Sequence, residues 1–293
     1  MRRHELTDQE WELLAPLIPR AATGRPRVED RQVVNGMVYK IRTGISWRDL
    51  PERYGSWQTV YTRFRRYALD GVFTRALQQI QARADAAGDV DWLVQIDSTI
   101  VRAHQHAAVT GRKGGSTGDE PDDQALGRSR GGLTTKIHLA CDGKGRPLAI
   151  LLTPGQRHDS ICARPVLERI RVPRTGQGRP RCRPDQVVAD KAYSSRSFHA
   201  YLRRRGIACT IPEKNDQQRH RGRHGGRPPA FDRQIYRRRN VVERCFNQLK
   251  GFRGIATRYD KTATSYEAAV SLASFRLWAR SDSKDGPATV PPP

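Results

Sequence analysis

Residues 92–104, WLVQIDSTIVRAH, mark the point at which the chain changes from a helical to an extended pattern. The segment is rich in β-branched residues and predicts a strand. A carboxylate, Asp97, lies in the middle of this apolar run. An ionised carboxylate in a core costs free energy unless it is paired, hydrogen-bonded or bound to a metal. Asp97 therefore requires a partner of one of these kinds.

The chain after this strand alternates between strand and helix patterns. Further strands are predicted at 133–142, 147–155, 186–190 and 207–213, and helices at 161–170, 194–206, 236–250 and 265–280. This is the element order of a ribonuclease-H-like α/β fold, with a five-stranded mixed sheet and flanking helices. In such an open sheet, functional side chains gather where strand ends meet an apposed helix.

Two more carboxylates occupy such positions. Asp190 ends the fourth predicted strand, and Glu243 lies on the helix predicted at 236–250. We therefore expect Asp97, Asp190 and Glu243 to meet at one point. Carboxylate oxygens are the ligands that Mg²⁺ prefers, and two such ions about 3.5–4 Å apart suit phosphodiester chemistry.

The helix predicted at 236–250, YRRRNVVERCFNQLK, carries its polar groups on one stripe. At 100° per residue, Tyr236, Arg239, Glu243 and Lys250 share a narrow arc of the helix. The adjoining arc is apolar and consists of Val241, Val242, Cys245, Phe246 and Leu249. A basic amphipathic helix with an incidental glutamate would give the same pattern, so this segment alone leaves both interpretations open.

The charge of the chain indicates a polyanionic partner. Its 293 residues include 53 Lys and Arg against 30 Asp and Glu, a formal net charge of +23. Nucleic acid is the natural counter-charge for such an excess. We find no long apolar span, signal-like N-terminus or lipidation motif, so we expect a cytoplasmic protein that does not enter a membrane. The five cysteines never form a C-x-x-C pair and predict neither zinc nor disulfides.

The N-terminal residues predict a helix-turn-helix. Helical patterns at 5–20 and 29–42 are followed by a short helix within 46–55 and another helix at 56–71. The segment 56–67 is the candidate recognition helix, which would enter the major groove of DNA. Its inward residues are expected to be Val60, Phe64, Tyr67 and Leu69. Its candidate DNA-contacting residues are Gln58, Thr59, Thr62, Arg63 and Arg66. A plain three-helix bundle fits this pattern equally well, and the net charge favours DNA contact.

The remaining segments complete the predicted organisation. Residues 104–132 lack periodicity and predict a long mobile loop. Asp142 is expected to serve a hairpin turn, and Asp159 or Ser160 to cap the helix that follows. Residues 214–235 are predicted to form a very basic, Gly- and Pro-rich connection to the helix at 236–250. The Arg-rich segments 171–183 and 219–239 contain few acids, which favours contact with phosphates over solvated linkers. We divide the chain into a helix-turn-helix domain (1–70), a helical connector (71–91), a catalytic domain (92–280) and a disordered tail (281–293).

Three motifs together resemble a known family. The spacing Y-x2-R-x3-E-x6-K from Tyr236 to Lys250, with QIDSTIVRAH around Asp97 and VVADKAYSS around Asp190, is similar to DDE-type transposases of the insertion-sequence-4 superfamily. The N-terminal part resembles that of insertion-sequence-5-type members. The resemblance implies that Asp97, Asp190 and Glu243 are catalytic metal ligands. It also implies that Tyr236, Arg239 and Lys250 handle DNA near the scissile phosphate.

The function implied by this resemblance is transposition. Such an enzyme binds double-stranded DNA at terminal inverted repeats, cuts it with Mg²⁺ or Mn²⁺ and joins the ends to target DNA. It is expected to act as a homodimer or larger synaptic complex in the bacterial cytoplasm, associated with the nucleoid when bound. Two alternatives are a non-catalytic DNA-binding regulator derived from a transposase and a nuclease that cuts without joining.

Overall fold

A computed structural model describes residues 4–19, 28–108, 124–129 and 131–282. The α-helices are α1 (Asp8–Leu14), α2 (Asp30–Thr43), α3 (Trp57–Leu69), α4 (Val72–Ala86), α5 (Asp159–Glu168), α6 (Arg196–Arg204), α7 (Asn215–His224), α8 (Arg233–Arg237), α9 (Asn240–Lys250), α10 (Arg253–Ala256) and α11 (Ala263–Asp282). The strands are β1 (Leu93–Ala103), β2 (Gly127–Ser129), β3 (Gly132–Cys141), β4 (Pro147–Pro154), β5 (Gln186–Val188), β6 (Ala208–Thr210) and β7 (Thr257–Arg258).

The five predicted strands form the body of a mixed sheet in the order β4-β3-β1-β5-β6. The pairs β4–β3 and β3–β1 are antiparallel, whereas β1–β5 and β5–β6 are parallel. This order and these directions confirm the ribonuclease-H-like fold expected from the sequence. Two short strands were not predicted: β2 pairs with the start of β3, and β7 pairs with the end of β1. The central position of β1 brings its middle, at Asp97, under helices on both faces of the sheet.

Capping residues mark the ends of the N-terminal helices. Thr7 caps α1 in a capping box with Glu10. Gly44 ends α2 at φ 74°, a left-handed conformation that glycine adopts without steric cost. Ser56 caps α3 through its side chain. Between α2 and α3 lie two short 3-10 turns, Trp47–Asp49 and Glu52–Tyr54, where the sequence predicted one short helix.

Helix α11, the last helix of the chain, packs against the N-terminal helices. It packs against α1, α2, α3 and α4 and also against β4, and buried apolar residues of the N-terminal helices and of the sheet form one continuous core. A buried ion pair between Glu10 and Arg276 links α1 to α11. In α2, Lys40 Nζ lies 3.7 Å from Asp260 Oδ2. The division into domains at residues 70 and 91 remains a prediction.

Three segments differ from the expected organisation. The segment 214–235, predicted to be a basic connection, contains α7 and α8, and none of the α7 side chains is buried. The predicted loop 104–132 contains β2, and its residues 109–123 and 130 lie outside the described residues. Helix α11 includes residues 281 and 282, so of the predicted tail only 283–293 lies outside the described residues.

Candidate active site

Alternate side chains of β1 face α9, because successive residues of a strand point to opposite sides of the sheet. Gln95 and Thr99, two residues before and after Asp97, hold the two ends of this helix. Gln95 Oε1 accepts a hydrogen bond from the Val242 main-chain N–H at 3.2 Å. Thr99 Oγ1 accepts one from Lys250 Nζ at 2.6 Å. The side chain between them, Asp97, is therefore held against α9.

Asp97 carries a carboxylate whose ionisation is disfavoured. Its side chain is 21% exposed, and its Oδ1 accepts a hydrogen bond from the Ser98 main-chain N–H at 2.8 Å. Burial raises the pKa of Asp97 to about 6, and the negative charges of Asp190 and Asp159 act in the same direction. The Ser98 N–H and the positive charge of Arg239 oppose this rise without cancelling it.

Asp190 lies beside Asp97 because their strands run parallel in register. Gln95 of β1 pairs with Val188 of β5, and two residues further along each strand direction the chain reaches Asp97 and Asp190. Asp190 is the cap of the 3-10 turn that follows, and its Oδ1 accepts a hydrogen bond from the Ala192 main-chain N–H at 2.7 Å. One carboxylate thus lies on the central strand and the other immediately beyond its parallel neighbour.

Glu243 is linked to Asp97 by ion pairs with one arginine, Arg239. Arg239 Nη1 lies 3.2 Å from Glu243 Oε1 and 3.6 Å from Asp97 Oδ2, so one guanidinium bridges the helix and the strand. The Glu243 side chain is 55% exposed and can change rotamer without disturbing the core. Arg239 therefore lies between Asp97 and Glu243, and the three carboxylates, expected to meet at one point, are not gathered there among the described residues.

The predicted continuous helix at 236–250 is divided into α8 and α9. The main-chain N–H groups of Arg238 and Arg239 bond three residues back, to Ile235 and Tyr236, which tightens the helix at the junction. The Tyr236 ring packs against Phe231, with ring centroids 5.1 Å apart. Arg239, Glu243 and Lys250 contact residues of the site or each other, whereas Tyr236 of the predicted stripe lies on the far side of this junction.

The donors around Asp97 fit a hard divalent cation. Carboxylate oxygens are the ligands that Mg²⁺ and Mn²⁺ favour, and the half-buried Asp97 carboxylate, with Asp190 beside it, offers such oxygens. Among the described residues, no three His, Cys, Asp or Glu side chains are already gathered around one point. Arg239 supplies the nearest positive charge to Asp97 and Glu243 in this arrangement.

Helix α3 exposes most of the predicted DNA-contacting face. Gln58, Thr62 and Arg66 are exposed, and Thr59 is half-buried. Val60, Phe64 and Tyr67 are buried as expected, but Leu69, predicted to face inward, is about half exposed because it lies in the last turn of the helix.

Arg63 differs from its exposed neighbours on α3. Its guanidinium forms an ion pair with Asp30, donates to the Val28 carbonyl at 3.1 Å and contacts the Tyr67 hydroxyl at 2.6 Å, and its side chain is 13% exposed. These contacts fix α3 to the start of α2. The expectation that Arg63 reads DNA therefore meets a competing structural role.

The sequence prediction for Asp159 was wrong. His158, not Asp159 or Ser160, occupies the cap position of α5, and Asp159 is the first helical residue. The Asp159 carboxylate accepts hydrogen bonds from Lys136 Nζ at 2.8 Å and from Ser98 Oγ at 2.7 Å. Asp159 therefore bonds the strand that carries Asp97, a contact that the capping interpretation did not predict. Asp142 does serve its turn, as expected, and accepts the Arg146 main-chain N–H at 2.8 Å.

Comparison with known proteins identifies the family. Residues 6–77 match the family described as "Putative transposase of IS4/5 family", and residues 89–278 match "Transposase DDE domain". The chain is 32% identical over 148 residues to the "Putative transposase for insertion sequence element IS6501" of Brucella ovis, which covers 50% of this chain and 100% of that protein. It is 31% identical over 156 residues to the "Putative transposase for insertion sequence element IS402" of Burkholderia cepacia, covering 53% and 65%.

A solved structure with overall similarity is the Mos1 transposase paired-end complex with left transposon end. The identity is 13%, the coverage 91% of this chain and 82% of that one, and the TM-score 0.25, a similarity too low to bear on the site.

The match to the DDE domain covers more than half of the chain, which therefore belongs to the DDE transposases, a family of enzymes that act with divalent metal ions. Its N-terminal match and its relatives make it a transposase of the insertion-sequence 4/5 type. Within the described ranges, each helix is too short or too polar to cross a membrane.

Proposed function

We propose that this transposase binds the terminal inverted repeats of an insertion sequence, cuts their 3′ ends and joins them to target DNA. In this proposal Asp97, Asp190 and Glu243 are the catalytic metal ligands, with Mg²⁺ as the ion and Mn²⁺ as a substitute. The observation that carries it is the half-buried Asp97 carboxylate, which lies beside Asp190 and is bridged to Glu243 by Arg239.

Different residues have different roles at the proposed site. Asp97 lies on β1 and Asp190 on the turn that follows the parallel strand β5, so the sheet brings the two acids near each other. Glu243, exposed on α9, completes the ligand set when Arg239 withdraws from it. Arg239 and Lys250 then hold phosphate oxygens of the DNA. Divalent ions bound by these acids would activate the attacking hydroxyl and stabilise the leaving oxygen.

The partner in this proposal is double-stranded DNA. Gln58, Thr59, Thr62 and Arg66 on α3 contact the terminal repeats, and Arg63 holds the helix in place. Tyr236 contacts DNA near the scissile phosphate, as the family resemblance implies. Two element ends need two active sites, which favours a homodimer or larger synaptic complex. We place the enzyme in the bacterial cytoplasm, on the nucleoid when it is bound to DNA.

The non-catalytic regulator is the disfavoured alternative. A regulator requires the N-terminal helices alone, whereas the family match extends over 89–278. It also gives no reason for an acid in the middle of β1 with a second acid just beyond β5 and a third on α9. A nuclease that cuts without joining would have the same site, and the reaction products distinguish it.

Incubation of the full chain with linear DNA that carries the flanking inverted repeats tests the proposed function. In Mg²⁺ we expect nicks at the 3′ ends of the element and covalent joining of those ends to a second labelled DNA. EDTA should stop both reactions. Specific binding without nicking would instead indicate the regulator, and nicking without joined product would indicate the nuclease.

The exposed position of Arg66 gives a prediction about binding. Arg66→Ala should weaken DNA binding about equally for all sequences and reduce the slope of log K against log salt by about one, because one phosphate contact is lost. Fluorescence anisotropy at several salt concentrations measures this slope. The matched variant Arg63→Ala should chiefly lower stability, because Arg63 bonds Asp30 and Tyr67. An unchanged salt slope in Arg66→Ala would place Arg66 outside the DNA interface.

A further inference from the structure

Ser98 connects the strand that carries Asp97 to the opposite face of the sheet. Its main-chain N–H donates to Asp97 Oδ1 at 2.8 Å. Its side chain points the other way, toward α5, where Ser98 Oγ donates to Asp159 Oδ1 at 2.7 Å. A single residue therefore holds one of the proposed metal ligands with its backbone and a second acid with its side chain.

Asp159 is held in turn by a buried lysine. Lys136 Nζ donates to Asp159 Oδ1 at 2.8 Å and to the Arg157 carbonyl at 2.7 Å, and the Lys136 side chain is 10% exposed. Burial alone would raise the pKa of Asp159, but the hydrogen bonds from Lys136 and Ser98 outweigh it and the pKa lies below its ordinary value. Two side-chain donors, Lys136 and Ser98, thus engage one oxygen of the Asp159 carboxylate.

The helix that carries Asp159 also meets the turn that carries Asp190. Asp190 caps the 3-10 turn Lys191–Tyr193, and the Tyr193 side chain at the end of that turn is buried. Helix α5 packs against this turn. Helix α5 therefore contacts both β1, through the Asp159–Ser98 hydrogen bond, and the turn that carries Asp190.

We propose that Asp159 is a positioning residue that holds Asp97 in place through Ser98 and so fixes its position relative to Asp190. The proposal rests on the proposed function, because it assigns a role relative to those two acids. The Lys136–Asp159 pair anchors α5 to β3. Ser98 bonds Asp159 with its side chain and Asp97 with its backbone, and α5 packs against the turn after β5. Groups that orient metal ligands from behind typically contribute 10–100-fold to metal affinity.

The test is a titration of the full chain with Mn²⁺, followed by electron paramagnetic resonance, in the absence of DNA. Ser98→Ala removes the hydroxyl that donates to Asp159, with little change in volume. It should raise the Mn²⁺ dissociation constant roughly tenfold. Ser98→Thr keeps the hydroxyl and should restore affinity to within about twofold of the wild type. Asp159→Asn should weaken Mn²⁺ binding at least as much as Ser98→Ala.

A matched control is Ser274→Ala. Ser274 is a buried serine of α11 whose hydroxyl has no hydrogen-bond partner among the described residues, so its loss should leave Mn²⁺ affinity unchanged. If Asp159→Asn fails to fold because Lys136 is left unpaired, Ser98→Ala and Ser98→Thr still decide the outcome.

The Asp97→Asn variant distinguishes a failure of the positioning role from a failure of the proposed metal site. If Asp97→Asn abolishes Mn²⁺ binding while Ser98→Ala and Asp159→Asn leave the dissociation constant unchanged, the positioning role is wrong and the proposed metal site stands. If Asp97→Asn leaves Mn²⁺ binding intact, the proposed metal site itself is wrong.

Discussion

Asp97→Asn is expected to abolish DNA cleavage and, in the metal-free protein, to increase stability at neutral pH. Both effects follow from one carboxylate that the fold holds in an unfavourable environment. As a proposed metal ligand, its loss should lower the cleavage rate by about 10³-fold or more, roughly 4 kcal/mol of transition-state stabilisation. Asp97 is also a partly buried acid with a raised pKa, so its ionisation at neutral pH lowers the free energy of unfolding. The substitution should remove this cost.

The direction of the stability change follows from the two pKa values. The ordinary pKa of an aspartate is 3.8, and in the folded chain that of Asp97 is about 6. The folded state therefore binds this proton more tightly than the unfolded state does. The resulting stability is present below about pH 4 and is lost as the pH rises through about 6. Asparagine cannot ionise, so the variant should be more stable at pH 7.5 by an amount on the order of 1–3 kcal/mol, and not at pH 4.

Urea unfolding at pH 7.5 and pH 4 in EDTA measures this difference, and cleavage assays in Mg²⁺ measure the loss of activity. The matched control is Asp91→Asn, because Asp91 precedes the same strand and pairs with Arg238 at the surface. It should keep cleavage activity and gain no stability at pH 7.5. Full activity in Asp97→Asn would remove this residue from the site, and a lower stability at pH 7.5 would contradict the account of its burial.

Glu10→Ala is expected to destabilise the whole protein. Glu10 Oε1 and Oε2 accept hydrogen bonds from Arg276 Nε at 2.9 Å and Nη2 at 3.1 Å, and the two side chains are only 3% and 5% exposed. Removal of one partner leaves the other charge buried without compensation. Such losses typically cost about 3–5 kcal/mol, against less than about 1 kcal/mol for an exposed pair.

Chemical denaturation at pH 7.5 checks this value. Glu12→Ala is the control because Glu12 lies on the exposed side of the same helix, α1, and should change the free energy of unfolding by less than about 0.5 kcal/mol. A loss of less than about 1 kcal/mol in Glu10→Ala would mean that Arg276 finds water or another acceptor when its partner is removed.

The main elements of the fold were predictable from the sequence because burial leaves periodic patterns. The apolar positions of α2 and the extended runs at β1, β3 and β4 follow the periods of a helix and a strand. Helix α7 was missed because it buries no side chain and therefore has no apolar period. Strands β2 and β7 were missed because two or three residues become a strand only through a distant partner.

The candidate site was predictable to a similar depth. Asp97 stood out as an acid in an apolar run, and strand order indicated Asp190 as its neighbour. The role of Asp159 was not visible, because its partners Lys136 and Ser98 are 23 and 61 residues away and a helix start explained it locally. Arg63 looked like its exposed neighbours on α3 until its contact with Asp30, on a different helix, was known.

The position of α11 also affects the order in which the protein becomes complete during synthesis. Glu10 and Arg276 are separated by 266 residues. At about 5–20 residues per second, roughly 15–50 s pass between their addition to the growing chain. Helices α1 to α4 are thus translated well before α11, which packs against them, and before Arg276, the native counter-charge of Glu10. The helices proposed to recognise DNA therefore reach their native packing only after almost all of the catalytic region has been translated.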